Sequence, residues 1–242
     1  TATDFLPHQE MWVEKLTERI PQVETIVHNV NGKRTNVILG SKNNILYGDG
    51  TITDHIKDLQ FTLSPHSFFQ VNPEQTTVLY DQALAYADLK GDETVIDAYC
   101  GTGTISLFLA HKAKHVIGIE IVEPAIINAR ENAKRNGYDN TEFIVADAAV
   151  EMPKLYKAGV RPDVIVFDPI RAGCKEEVLT SAAGMEPRRI VYVSCNPATM
   201  ARDIEILTHY GYELQEVQPV DMFPMTAHVE AVALLTRSKA TQ

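Results

Sequence analysis

Apolar positions along the chain fall into two rhythms. From Thr94 onward, short and nearly unbroken apolar runs recur: Thr94–Tyr99, His115–Glu120, Phe143–Asp147, Asp163–Pro169 and Ile190–Cys195. Runs of that kind mark strands buried on both faces, and their alternation with helical stretches predicts a doubly wound parallel sheet. Helices are expected over Ile105–Ala113, Glu123–Asn136 (stopped by Gly137), Lys175–Ala183 and Ala198–Tyr210. The segments Glu213–Val220 and Val229–Thr236 are expected to pair as two final strands.

The first 60 or so residues read differently. Met11–Ile20 has the spacing of a short amphipathic helix closed by Pro21. Val23–Val30 reads as a strand, Asn31-Gly32 as a hairpin turn and Thr35–Leu39 as the returning strand, with a further turn at Asp49-Gly50. Pro73 marks the first turn of a helix carrying Val78, Leu79, Leu84 and Ala85. The chain thus reads as an α/β domain with a small N-terminal α+β appendage.

Composition narrows the function classes. With 242 residues and 45% hydrophobic content the chain can bury a full core, which excludes disordered and collagen-like classes. No apolar run approaches the roughly 18 residues of a membrane span, and Thr1-Ala2-Thr3-Asp4 lacks a signal pattern, so a cytoplasmic protein without membrane contact is expected. Three cysteines, Cys100, Cys174 and Cys195, include no closely spaced pair, which argues against a disulfide scaffold or a metal site. The net charge of −10 is unfavourable for a phosphate-binding surface over the whole chain, though not for a local one.

The candidate chemistry lies where strands end. Ile190–Ser194 followed by Cys195-Asn196-Pro197 presents a thiol at the carboxyl end of a buried strand, where open α/β sheets place their ligands. Four other strands end at Asp97, Glu120, Asp147 and Asp168. A single such acid is ordinarily a helix cap, but four in succession line one sheet edge with carboxylates. Gly101 and Gly103 of Cys-Gly-Thr-Gly let the backbone approach a ligand, while the third glycine of a dinucleotide fingerprint is missing. Together with Glu120, suitably placed for ribose hydroxyls, and Asp147, for an adenine amino group, the turn resembles the S-adenosylmethionine site of class I methyltransferases, a Rossmann-like seven-stranded sheet.

Five separated motifs sharpen the resemblance: Phe68-Phe69-Gln70-Val71-Asn72, Asp97 to Gly103, Asp168-Pro169-Ile170-Arg171-Ala172-Gly173, Ser194-Cys195-Asn196-Pro197 and Asp221-Met222-Phe223-Pro224. In this order, from about Leu63 to Arg237, the chain resembles the RNA uridine-5-methyltransferases. The resemblance implies that Gln70, Tyr99, Gly101, Thr104, Glu120, Asp147 and Asp168 line the S-adenosylmethionine pocket, with Cys195 as nucleophile and Glu230 as base. Thr104 stands where several relatives carry Asn, and Met225 where a His is common. Neither an RNA-binding barrel nor an iron–sulfur cysteine cluster is visible, so residues 1–62 are expected to be the remnant of a central domain and 63–242 the catalytic domain.

The chemistry so implied explains the residue types. Uracil carbon 5 is a poor nucleophile, and thiolate addition at carbon 6 makes it an enolate carbon that accepts a methyl group. An ordinary thiol is only a few per cent thiolate at neutral pH, so the positive end of the helix after Cys195 is expected to help. Arg171 is placed to reach the uracil or a phosphate, and Phe68, Phe69 and Phe223 are candidates for stacking on an unstacked base, although each also suits a core position. Cys100 reads as a packing residue and Cys174 as part of a surface loop. The expected partner is structured RNA acted on by a monomer, with large-subunit ribosomal RNA ahead of transfer RNA. A nucleotide-dependent oxidoreductase and an RNA-binding module with a vestigial pocket are the rival readings.

Overall fold

The computed structural model describes residues 1–34 and 37–238. The N-terminal part holds α1 (Gln9–Arg19) and an antiparallel pair, β1 (Ile26–Val30) and β2 (Lys42–Tyr47). The returning strand is therefore not Thr35–Leu39. Thr35 and Asn36 lie outside the described residues, and Val37 to Leu39 form no strand. Asn31 donates its side-chain amide to the carbonyls of Val37 and Ile38, and Asn29 brackets Gly40 through both its N–H and its C=O, so a loop fills the stretch assigned to a tight turn. Exposed Val37 and Ile38 have no face to bury in a strand.

A second hairpin, β3 (Ile52–Ile56) and β4 (Leu59–Leu63), turns at Lys57, whose φ is 53°. It packs on the main layer: Ile56, Phe61 and Leu63 join the apolar cluster on one face of the large sheet. Asn132 accepts the Thr62 N–H at 2.7 Å, and Asn136 accepts that of Gln60 at 2.9 Å.

The remainder follows the predicted alternation: α2 (Pro73–Ala87), β5 (Thr94–Asp97), α3 (Thr104–Ala110), β6 (His115–Glu120), α4 (Glu123–Arg135), β7 (Thr141–Val145), α5 (Ala148–Lys157), β8 (Val164–Phe167), α6 (Glu176–Gly184), β9 (Arg189–Ser194), α7 (Pro197–His209), β10 (Tyr212–Val220) and β11 (Glu230–Arg237). Pro73 opens α2 behind Asn72, whose side chain accepts the Gln75 N–H. Helix α5 is an addition to the sequence reading, hidden by Pro153 in its interior.

The seven strands lie in the order β10-β11-β9-β8-β5-β6-β7. Pairs among β5 to β9 are parallel, while β11 runs antiparallel to both β9 and β10. This is the class I methyltransferase sheet. Alternate strand residues feed two apolar layers. Val95, Val116, Val164, Val166 and Val191 face α2, α3 and α4, whereas Ile96, Ile117, Ile165, Phe167 and Ile190 face α5, α6 and α7. Burial on both faces explains the unbroken apolar runs. The order reverses between β5 and β8, which opens a crevice at their carboxyl ends. Among the described residues, no helix is long and apolar enough to cross a membrane.

Candidate active site

Strand β5 ends at Asp97, which has no exposed surface. One carboxylate oxygen accepts the Ser106 hydroxyl at 2.6 Å and the other has no well-aligned hydrogen-bond partner among the described residues, although the backbone N–H groups of Tyr99 and Ser106 also act on the carboxylate. Burial pushes the Asp97 pKa up to about 6, against the hydrogen bond from Ser106, with Glu120 adding to the rise. An unpartnered buried carboxylate oxygen at the carboxyl end of a central strand is suited to a polar ligand.

The turn that follows divides its two glycines by task. Gly103, at φ 83°, precedes α3 where an added Cβ would lie 3.2 Å from Ala129 and 3.3 Å from Phe143. Gly101, at φ 53°, meets nothing within 4 Å, so open space lies above it. Gly103 allows close packing and Gly101 allows close approach from outside.

Of the other expected cofactor residues, Tyr99, Glu120 and Asp147 stand at or just beyond the carboxyl ends of β5, β6 and β7. Glu120 accepts the Val122 N–H at 2.9 Å with one oxygen and keeps the other free among the described residues. Gln70 is buried, and its side chain makes no hydrogen bond among the described residues. Asp147 is more occupied: it caps α5 through Ala149 N–H and pairs with Lys175 at 2.9 Å, the lysine contact holding its pKa below the usual range. The capping role and a ligand role thus compete at this residue. Tyr99 is half-buried, its hydroxyl in hydrogen-bonding reach of Cys174, and burial raises its pKa. Thr104 opens α3 with its hydroxyl 3.1 Å from that of Tyr80.

Two acids and one cation surround the thiol at the neighbouring strand ends. In the antiparallel β9–β11 register Ala231 stands opposite Ser194, so Glu230 and Cys195 are the next positions along the two strands. Burial raises the Glu230 pKa, partly offset by Arg171. Desolvation, then Glu230 and Asp97, push the pKa of half-buried Asp168 well above the usual carboxylate range. Cys195 is the least buried of the three cysteines. Its thiol pKa is raised by desolvation and by Glu230, lowered by Arg171 and raised again by Asp168. Arg171 is therefore the charged group that favours the thiolate. Helix α7 begins two residues beyond the thiol at Pro197, capped by Asn196, and points its positive end to the same place.

Other expectations change. Cys174 does not sit in a surface loop: it is buried, its thiol 3.6 Å from the Tyr192 hydroxyl, because the loop after Asp168 folds under α7. Phe69 packs its ring 5.8 Å from Phe61 in the core, and Phe223 is half-buried against the core and 6.3 Å from the His228 ring, so Phe68 is the open aromatic face of that motif. Sequence reading missed Tyr80, whose phenol lies in the electrostatic reach of Asp168, Asp97 and Glu230. Its signal was a tyrosine on the apolar face of a helix, where the hydroxyl needs a partner.

The chain matches the model of the tRNA (uracil-5-)-methyltransferase family over residues 9–238. The chain belongs to this family. It is 57% identical over 235 residues to an RNA methyltransferase of Halalkalibacterium halodurans, covering 97% of this chain and 51% of that protein. Identity to an RNA methyltransferase of Clostridium acetobutylicum is 53% over 237 residues, covering 98% and 52%. The chain thus spans about half the length of the relatives it matches. Among solved structures, the Pyrococcus abyssi tRNA (uracil-54, C5)-methyltransferase in complex with S-adenosyl-L-homocysteine is similar with a TM-score of 0.75 and 31% identity, over 91% of this chain and 53% of that one. Trm5b of the same organism shares the fold at a TM-score of 0.64 and 17% identity, over 97% of this chain and 72% of the other.

S-adenosylmethionine is the methyl donor of the uracil-5-methyltransferase family. The residues of this member fit such a ligand: open space over Gly101, a free oxygen on Glu120, and an unpartnered oxygen on buried Asp97.

Proposed function

We propose that this chain transfers a methyl group from S-adenosylmethionine to carbon 5 of a uridine in structured RNA, with Cys195 as nucleophile and Glu230 as base. The observation that carries the reading is the register of β9 and β11, which sets a thiol beside a buried carboxylate, with Arg171 and Asp168 in electrostatic reach of the thiol. Gln70, Tyr99, Gly101, Thr104, Glu120, Asp147 and Asp168 are proposed to line the methyl-donor pocket. To them we add Asp97, whose unpartnered oxygen suits an ammonium group.

When bound, S-adenosylmethionine supplies an electrophilic methyl group. The remaining work falls to the chain. Cys195 reacts as its thiolate, the proton having gone to solvent, and its sulfur forms a bond to uracil carbon 6 while the electrons of the carbon 5–carbon 6 double bond move toward carbon 5 and the ring carbonyl. Carbon 5 takes the methyl group, and Glu230 then removes the proton left on carbon 5. The carbon–sulfur bond breaks, the double bond returns and the thiolate is restored. A raised pKa suits Glu230 to this work, since a stronger base accepts the proton more readily. Arg171 is positioned to stabilise both the thiolate and negative charge on the ring.

The catalytic unit is taken as residues 63–242, with 1–62 an appendage whose last hairpin packs on it. Large-subunit ribosomal RNA is the first substrate reading, resting on the run Cys195-Asn196-Pro197-Ala198-Thr199. Transfer RNA is the second, favoured by the substrate named for the Pyrococcus abyssi neighbour. A monomer working on cellular RNA in the cytoplasm completes the proposal. Incubating the protein with S-adenosylmethionine and either unmodified transfer RNA or ribosomal RNA, followed by nucleoside mass spectrometry, tests it. New 5-methyluridine in one fraction assigns the substrate. Product no higher than with Cys195→Ala in both fractions contradicts the proposal.

A further inference from the structure

One side of α7 and its cap carries Asn196, Thr199, Arg202 and Asp203, at the spacing that brings side chains onto one helix face. All four hold the loop after β8. Asn196 donates its amide N–H to the Arg171 carbonyl at 3.0 Å, and the Thr199 hydroxyl lies between that same oxygen at 3.2 Å and the Asn196 carbonyl at 3.0 Å, sharing its one hydrogen between them. Arg202 donates to the carbonyls of Ala172 at 2.9 Å and Cys174 at 3.4 Å. Asp203, fully buried, accepts the Cys174 N–H at 2.7 Å and the Tyr192 hydroxyl at 2.5 Å, while its other oxygen pairs with Arg202. The contact is close: a Cβ on Gly173 would lie 2.6 Å from both Arg202 and Asp203.

Arg171 itself is exposed, and its guanidinium makes no hydrogen bond or ion pair among the described residues. Its place near the thiol is therefore set by its backbone, and its backbone is held by α7. The charged groups that face Cys195 are Glu230 at the start of β11 and Asp168 and Arg171 in the loop after β8. Arg171 is the positive one of the three. If it swings into solvent, the thiol is left with burial and two acids.

We propose that Thr199 and Arg202 are positioning residues which, by gripping the backbone of residues 171–174, hold Arg171 against Cys195 and thereby set the reactivity of the thiol. Helix α7 would then serve the nucleophile through the loop it clamps as well as through its own dipole. The importance of this device for catalysis rests on Cys195 being the nucleophile, whereas the device itself concerns only the thiol.

The test is alkylation of the protein by iodoacetamide across a pH series, with modification of Cys195 quantified by peptide mass spectrometry. Thr199→Val and Arg202→Met should each move the midpoint up by about half a pH unit, and Arg171→Met by about one, since a neighbouring cation lowers a pKa by about that much or more. Thr199→Ser restores the donor and should return the midpoint to that of the parent. Adding Arg202→Met to Arg171→Met should give no further rise, because both act through one group. Unchanged midpoints in Thr199→Val and Arg202→Met, with lower melting temperatures alone, would make α7 a structural brace and overturn the proposal. Additive shifts in the double variant would also overturn it. Methylation surviving Cys195→Ala would sink the nucleophile assignment without altering the alkylation result.

Discussion

Replacing Asp97 by Asn removes a buried ionisable group at the head of the crevice without changing its shape. In the folded protein this carboxyl titrates at about 6 rather than at its ordinary 3.8, chiefly because burial penalises the charge. A rise of that size corresponds to about 3 kcal/mol of preference for the protonated form. The folded pKa lies above the unfolded one, so the stabilising contribution is complete below the unfolded value. It is lost as pH rises toward about 6 and is gone above it. Urea unfolding of ligand-free parent and Asp97→Asn should therefore diverge with pH. Relative to the variant, the parent should lose about 3 kcal/mol between pH about 4 and about 7. Exposed carboxylates with lowered pKa, such as Asp49 and Asp88, act in the opposite sense but cancel in the difference. A difference independent of pH would refute the argument, because Asp97 would then ionise like an exposed carboxyl. The same charge should benefit an ammonium group placed against it, so S-adenosylhomocysteine, bound with its ammonium at Asp97, should bind the parent more tightly as pH rises through about 6.

The remaining predictions concern the proposed methyl-donor pocket. Glu120→Gln should weaken S-adenosylhomocysteine binding at least tenfold by calorimetry, since a hydrogen bond to a charged group is worth about 1.5–3 kcal/mol; unchanged affinity would remove Glu120 from the pocket. Gly101→Ala places a methyl group in the open space above the turn and a side chain at positive φ. It should cost about 1 kcal/mol in urea unfolding and also lower ligand affinity. A loss of stability with full affinity would put the ligand elsewhere.

Most of the fold was legible because burial of strands on both faces leaves unbroken apolar runs and helices between them leave periodic ones. What escaped had identifiable causes. Side-chain hydrogen bonds from Asn29 and Asn31 override the turn signal of Asn31-Gly32, and a proline obscures α5. At the site, strand ends pointed to Asp97, Glu120, Asp147 and Asp168, but local sequence does not show that Asp147 is engaged by Lys175 while Asp97 has an oxygen to spare. Nor does it show what acts on the Cys195 thiol. Arg171 lies 24 positions before it and is brought near only by the parallel pairing of β8 with β9 and by the polar face of α7. Phe69 illustrates the converse: two adjacent aromatics compete for one site, and only packing against Phe61 decides which turns inward.

The covalent role of Cys195 is the claim on which the account stands. RNA carrying 5-fluorouridine has no removable proton at carbon 5, so after methyl transfer the carbon–sulfur bond cannot be released by Glu230. Incubation of the protein with S-adenosylmethionine and such RNA, followed by nuclease digestion and peptide mass spectrometry, should yield a methylated fluorouridine bonded to Cys195. Glu230→Gln should give the equivalent methylated adduct with ordinary RNA, while Cys195→Ala should give none with either. Methylated RNA without any adduct on Cys195, or product formed by Cys195→Ala at the parent rate, would contradict the account.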